Sequence, residues 1–153
     1  MLLKYKMDSR WEAFVPPYTQ EMFEKQAESL IAPHVNVPDA VKNKLSQVKS
    51  VYKLRSIDYE LQDVAEFLMI MAFELALRTK FEDAKGSKSA KGLTGLLYWA
   101  KKKKHLDVNK KQIDAIVNIR NSFAHIKRPE DLHGTLSSHI IKPVNDWINE
   151  LYK

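Results

Sequence analysis

A chain of 153 residues with 44% apolar and 29% charged residues is long enough to close one hydrophobic core and polar enough to solvate its surface. It contains no cysteine, which excludes a disulfide scaffold, a thiolate metal site and a cysteine nucleophile, so a reducing, cytoplasmic setting is expected. No run approaches the roughly 20 apolar residues that span a bilayer, and the first residues lack the apolar core of a signal peptide.

One domain over 1–153 is expected, with an arm over 1–17 and a helical bundle over 18–153. The net charge of +6 is unevenly placed. Between Lys85 and Lys111 nine lysines face one acid, Asp107, a local charge of +8 that leaves −2 for the rest of the chain. Such a segment attracts a polyanion, and a solvated lysine-rich turn without any partner has the same composition.

The arm shows no clean period and ends at Pro16-Pro17. Helical spacing of Met22, Phe23, Ala27, Leu30 and Ile31 predicts a first helix over Thr19 to Ala32, stopped by Pro33. A second starts near Pro38 and carries Val41, Leu45, Val48 and Tyr52 on one face. The third, with Ser56 as its expected N-cap, should run from Ile57 to Ala84, and from Phe67 to Leu77 it is apolar on every side except at Glu74. A carboxylate there needs a partner, either Arg78 one turn away or a basic residue on a packed neighbour.

Lys85 to Lys88 reads as a loop, and Leu93, Leu96, Leu97 and Ala100 mark a fourth helix ending in Lys101 to Lys104. The helix dipole favours cations at that end, so part of the lysine run has a structural explanation. Gly92 and Gly95 are expected to allow close helix packing. A fifth helix is predicted over Lys110 to Lys127, stopped by Arg128-Pro129, and a sixth over Thr135 to Tyr152, which Pro143 should kink or interrupt.

The fifth helix carries the candidate chemistry. Drawn at about 100° per residue, it gathers Ile113, Ile116, Val117, Ile119, Phe123, Ala124 and Ile126 into an apolar arc that also holds Arg120. A guanidinium in that arc is sensible if a carboxylate, a phosphate or cleft water meets it. Asp114, Asn118, Asn121 and His125 line the adjacent edge. Arginine can bind a scissile phosphate, asparagine can hold geometry, and histidine titrates near neutral pH. RNA supplies its own nucleophile, the 2′-hydroxyl, so this residue set can serve phosphodiester cleavage; a structural arginine–glutamate pair and a capping histidine are the competing reading.

Arg120-Asn121-Ser122-Phe123-Ala124-His125 resembles the Arg-x4-His signature of the HEPN superfamily. The resemblance extends in layout from the buried helix with Glu74, through Leu93-Thr94-Gly95-Leu96-Leu97, to the motif helix. It implies an all-α, HEPN-like bundle of about five or six helices that dimerises, brings two motifs together and cleaves RNA without a metal or other cofactor. It also implies toxin or antiphage-defence roles, with an antitoxin or defence-system partner. Carried over, it makes His125 the acid/base or phosphate-contacting group, Arg120 the phosphate binder, and Asn121 the supporting polar residue. Glu74 is added as a residue that could orient Arg120, with Lys101, Lys102, Lys103 and Lys104 as candidate RNA-binding residues. One departure stands out: Ile126-Lys127 follows His125 where some HEPN toxins carry a tyrosine two residues after the histidine, which leaves regulation by tyrosine modification in doubt.

Two other functions compete. A catalytically inactive HEPN-like module would use the same face to bind RNA or protein. A helix-turn-helix DNA binder would use the Lys85 to Lys111 region, but the stretch from Gly92 to Ala100 is too apolar for a recognition helix. His34, His105, His133 and His139 show no metal-ligand spacing, and no dinucleotide, nucleoside triphosphate or serine-nucleophile motif occurs.

Overall fold

The computed structural model describes residues 5–14, 16–85, 91–124 and 140–153. Over those residues the protein is an all-α bundle: a 3-10 turn at Ser9–Ala13, then α1 Gln20–Leu30, α2 Asp39–Leu54, α3 Leu61–Lys85, α4 Leu93–Lys102, α5 Lys110–Ala124 and α6 Ile141–Leu151, with no strand.

α3 is the axis. At 25 residues it is about 37 Å long, and α2, α4, α5 and α6 all pack on it. Its run from Met69 to Leu77 buries Met69, Ile70, Ala72, Phe73, Ala76 and Leu77. A helix with apolar residues all round needs neighbours on several sides, and here it has them. α2 contributes Val41, Leu45, Val48 and Tyr52, the expected stripe, all buried.

α1 starts at Thr19, whose hydroxyl oxygen accepts from the Met22 amide at 3.3 Å. Its other end is closed by α6: Asn145 Oδ1 accepts from the Ala32 amide at 3.1 Å, and Asn149 accepts from the His34 amide while its Nδ2 donates to the Ala32 carbonyl. Two buried asparagines thus satisfy backbone groups of the segment that follows α1, at Ala32 and His34.

Ser56 is not the cap of α3, which begins at Leu61. Residues 55–60 form a turn whose amides are taken up by other acceptors. Asp58 Oδ1 accepts from the Glu60 amide, and Asp8 of the N-terminal segment accepts from the Tyr59 amide at 2.9 Å. The Asp8 amide in turn donates to the Ser56 carbonyl. These side chains compete successfully with helix formation at Ile57. The segment is held further by Trp11, buried against Phe23 and donating its indole N–H to the Arg55 carbonyl at 2.7 Å.

Pro143 does not interrupt α6. It is the third residue of Ile141–Leu151, in the first turn, where proline is tolerated. Among the described residues Gly92 and Gly95 do not bring a neighbouring helix close either: a Cβ at Gly92 would touch none of them, and one at Gly95 would meet only the side chain of Lys91, 3.3 Å away. Lys85 belongs to α3 rather than to a loop; residues 86–90, and 125–139 with the remainder of the fifth helix as expected to Lys127 and the start of the sixth, lie outside the described residues.

Candidate functional site

α5 is laid on α3 and α4 by Ile113 and Ile116, which are buried, and by Phe123, whose ring centroid lies 5.3 Å from that of Phe67. Val117 and Ile119 pack on the same core. This seating turns Arg120 toward α3, where its Nε lies 3.9 Å from Glu74 Oε2. Glu74 Oε1 accepts from Arg78 Nη2 at 3.2 Å, and the same Nη2 donates to the Lys91 carbonyl at 3.2 Å. Both partners expected for Glu74 are therefore present, one on its own helix and one across the α3–α5 contact.

The two arginines are held differently. Arg78 is bonded on both sides, whereas Arg120 reaches Glu74 only at ion-pair distance and makes no hydrogen bond among the described residues. The Arg120 side chain is 35% exposed and that of Glu74 14%. A partly exposed guanidinium whose donors are unspent among the described residues, oriented by a largely buried carboxylate, can bind an incoming oxyanion in bidentate fashion.

Of the other motif residues, Asn121 is exposed one position beyond Arg120, and Asn118 and Asp114 are exposed on the adjacent edge. Asp114 pairs with Lys110 at 3.1 Å, one turn earlier. Ser122 donates its hydroxyl to the Asn118 carbonyl at 2.9 Å. His125 lies outside the described residues, as do His133 and His139.

Lys101, Lys102, Lys103 and Lys104 are all exposed at the end of α4. They stand about 15 Å along the helix from its first turn, which Arg78 ties to the Glu74–Arg120 pair through Lys91. The turn after α4 is closed by the Lys104 amide on Lys101 and the His105 amide on Ala100, with Lys104 at φ 57. That left-handed position usually holds glycine. His105 rests against Trp99, ring centroids 5.2 Å apart. Burial, with Lys80 and Lys103 nearby, holds its imidazole below the usual histidine range.

A groove of about 240 Å³ opens between α5 and α6, lined by Ala115, Ile119, Ile140, Pro143 and Trp147 among others; it contains no titratable group. Among the described residues no three His, Asp or Glu side chains form a cluster able to hold a metal ion, and no helix is long and apolar enough to cross a membrane.

Sequence reasoning missed a second polar cluster at the other end of α3. Arg55 and Glu66 are both buried. The Arg55 guanidinium lies over the Tyr52 ring at 3.7 Å and over Phe23 at 4.9 Å, and donates to Gln62 at 3.2 Å and to Gln26. Among the described residues neither carboxyl oxygen of Glu66 is hydrogen-bonded, although Gln62 and Arg55 face it. Burial, reinforced by Asp63 and opposed by Arg55, raises the Glu66 carboxyl to about 8. The available signal was positional: Glu66 directly precedes the apolar run, and Arg55 continues the stripe of Val48 and Tyr52.

The chain matches no family model, no curated protein and no solved structure.

Proposed function

We propose that the chain is a metal-independent endoribonuclease of HEPN type, acting as a homodimer in which two Arg120–His125 motifs share one composite RNA site. The observation that supports this most directly is the state of Arg120: a cation a third exposed, oriented by Glu74 and without a hydrogen bond among the described residues, five residues before a histidine. A purely structural arginine of this fold is bound up more fully, as Arg55 is.

In the proposed reaction the ribose 2′-oxygen attacks the adjacent phosphorus and the bond to the 5′-oxygen breaks. The products are a 2′,3′-cyclic phosphate and a 5′-hydroxyl. The proton leaving the 2′-hydroxyl passes to a base, and the departing 5′-oxygen takes one up; His125 is assigned to this proton transfer. Arg120 binds the phosphate oxygens and offsets the charge that grows on them in the pentavalent state. Asn121, exposed beside Arg120, supports the bound phosphate or ribose. The Lys101 to Lys104 turn attracts the RNA backbone and raises its local concentration near the site.

The test is cleavage of a labelled RNA in excess EDTA by wild type, Arg120→Ala and His125→Ala proteins, each shown to be folded and of equal oligomeric state. Cleavage by the wild type, lost in both variants, with cyclic phosphate ends, is the expected result. Cleavage that EDTA abolishes, or that both variants retain, overturns it. RNA binding without cleavage by the wild type assigns the same face to an inactive binding module.

A further inference from the structure

We propose that the outer face of the α4–α5 hairpin binds single-stranded RNA, with Tyr98 as the surface on which a base stacks and with Lys101, Lys102, Lys110 and Lys111 contacting phosphates. This rests on RNA being the ligand of the Arg120 site, but it concerns binding and not cleavage.

The inward stripe of α4 is Leu93, Leu96, Leu97 and Ala100, all buried. Residues one turn apart share a face, so the opposite stripe is Thr94, Tyr98, Lys101 and Lys102, all exposed. Tyr98 is 42% exposed, while the neighbouring Trp99 is buried against Phe81. Its ring has no aromatic contact among the described residues, and Lys110 at the start of α5 lies within electrostatic range of it. An aromatic ring left in solvent with cations on both sides is the arrangement that holds a single strand, since every base offers a face to stack and every nucleotide a phosphate. A duplex offers its charge but not its base faces.

The lysines are also unspent. Among the described residues Lys101, Lys102, Lys103, Lys104 and Lys111 make no ion pair, and the one acid between them, Asp107, is exposed without pairing to any of them. Lys110 is paired to Asp114, on its own helix and in solvent, where a phosphate can compete for it. Glu150 is occupied by the Asp107 amide. At the other end of the bundle the pattern differs: Lys49 and Lys53 both close on Glu28, at 2.9 and 2.7 Å. The helix dipole explains cations in the last turn of α4 but not Tyr98 between them, nor the lysines that open α5, where the dipole is unfavourable to cations.

The segment that opens α4 is tied to the candidate site. Arg78 joins the Lys91 carbonyl at the head of α4 to Glu74 and so to Arg120. A strand lying along α4 would run between the end of the helix joined through Lys91 to the Glu74–Arg120 pair and the lysine turn at the other end.

The experiment uses the full chain and a fluorescent 2′-O-methyl oligonucleotide, which has no free 2′-hydroxyl and cannot be cut by the proposed route. Anisotropy gives its affinity for wild type, Tyr98→Ala, Tyr98→Phe and the double variant Lys101→Ala/Lys102→Ala. Tyr98→Ala should weaken binding about tenfold, Tyr98→Phe should bind as wild type does, and the double variant should weaken binding and flatten its salt dependence. The single strand should bind more tightly than a duplex of the same sequence. Unchanged affinity in Tyr98→Ala, equal affinity for duplex, or equal displacement by polyglutamate overturns the proposal in favour of a purely electrostatic surface; so does absence of binding by the wild type. Binding that depends on Tyr98, in a protein that cuts no RNA, would leave this surface standing while the ribonuclease reading falls. Cleavage with Tyr98→Ala at wild-type affinity would do the reverse.

Discussion

Two glutamates of α3, Glu66 and Glu74, are each faced by an arginine from a neighbouring part of the chain, while its third, Glu82, lies near its end, and the two pairs are built to opposite ends. At Glu66 the arginine is roofed by Tyr52, Phe23 and Trp11, and both charged groups are out of solvent. Its donors reach two glutamines, Gln26 and Gln62, and leave the carboxyl to be neutralised by protonation. At Glu74 the carboxylate is shared between two arginines, both about a third exposed, of which Arg78 is hydrogen-bonded and Arg120 is held only at ion-pair distance. The difference teaches what an arginine near a core is for. Where aromatic walls and amides satisfy it, it fixes structure; where a single distant carboxylate does, it keeps binding capacity for something that arrives from outside.

The largest expected effect comes from unroofing the closed pair. Trp11→Ala removes a buried indole, its bond to the Arg55 carbonyl and the edge contact to Phe23, and should cost about 3–5 kcal/mol of stability. Chemical denaturation measures this. Water admitted to Arg55 should also bring the Glu66 carboxyl back toward its ordinary range. A loss below about 1 kcal/mol would mean that residues 5–14 do not seal this end.

Breaking the open pair should affect chemistry and spare the fold. Arg120→Ala should lower RNA cleavage by about 10²–10³, while its stability stays within about 1 kcal/mol of wild type, because the side chain is partly solvated and its ion pair is long. Lysine should not rescue it, since an ammonium lacks the planar fork. Equal loss of stability and activity would place Arg120 in the same structural class as Arg55.

The closed pair also predicts a pH dependence. Glu66 titrates near 4.5 when unfolded and at about 8 when folded, so the folded state holds the extra proton between those values. Its contribution to stability is complete below pH 4.5, falls as the pH rises, and levels off above 8. Glu66→Gln keeps the neutral shape without the titration. It should match wild type at pH 4 and exceed it by a few kcal/mol at pH 9, in urea melts at each pH. Parallel pH profiles for the two proteins would refute a protonated Glu66.

The sequence made the axis legible because its signal is local. The helical stripes of α1, α2 and α4 repeat every three to four residues, and their buried positions follow directly. The need for partners at Glu74 was readable from its isolation in an apolar run, and both named kinds of partner are present. The start of α3 was misplaced because Asp8, some 50 residues away in the chain, takes the Tyr59 amide; no local pattern carries that information. Glu66 and Arg55 escaped for the same reason, their burial being set by Trp11 and Gln26 from other segments. Tyr98 was hidden in a lysine-rich context where charge drew attention and exposure of a single ring could not be inferred.

The finest test of the open end is at Lys104. Its φ of 57 is a backbone state in which an L side chain crowds the following carbonyl, a cost of about 1 kcal/mol that glycine escapes. Lys104→Gly should therefore stabilise the fold by up to about 1 kcal/mol, and thermal or chemical melts measure it. The same change removes one exposed cation from the lysine turn, so binding of an anionic strand should weaken by a small factor and its salt slope should fall by about 0.7. At the closed end, by contrast, every stabilising change should leave strand binding untouched, because Arg55 and Glu66 present nothing to solvent. If Lys104→Gly gains stability and strand affinity does not change, that residue has no part in the surface, and the phosphate contacts fall to Lys101, Lys102, Lys110 and Lys111 alone.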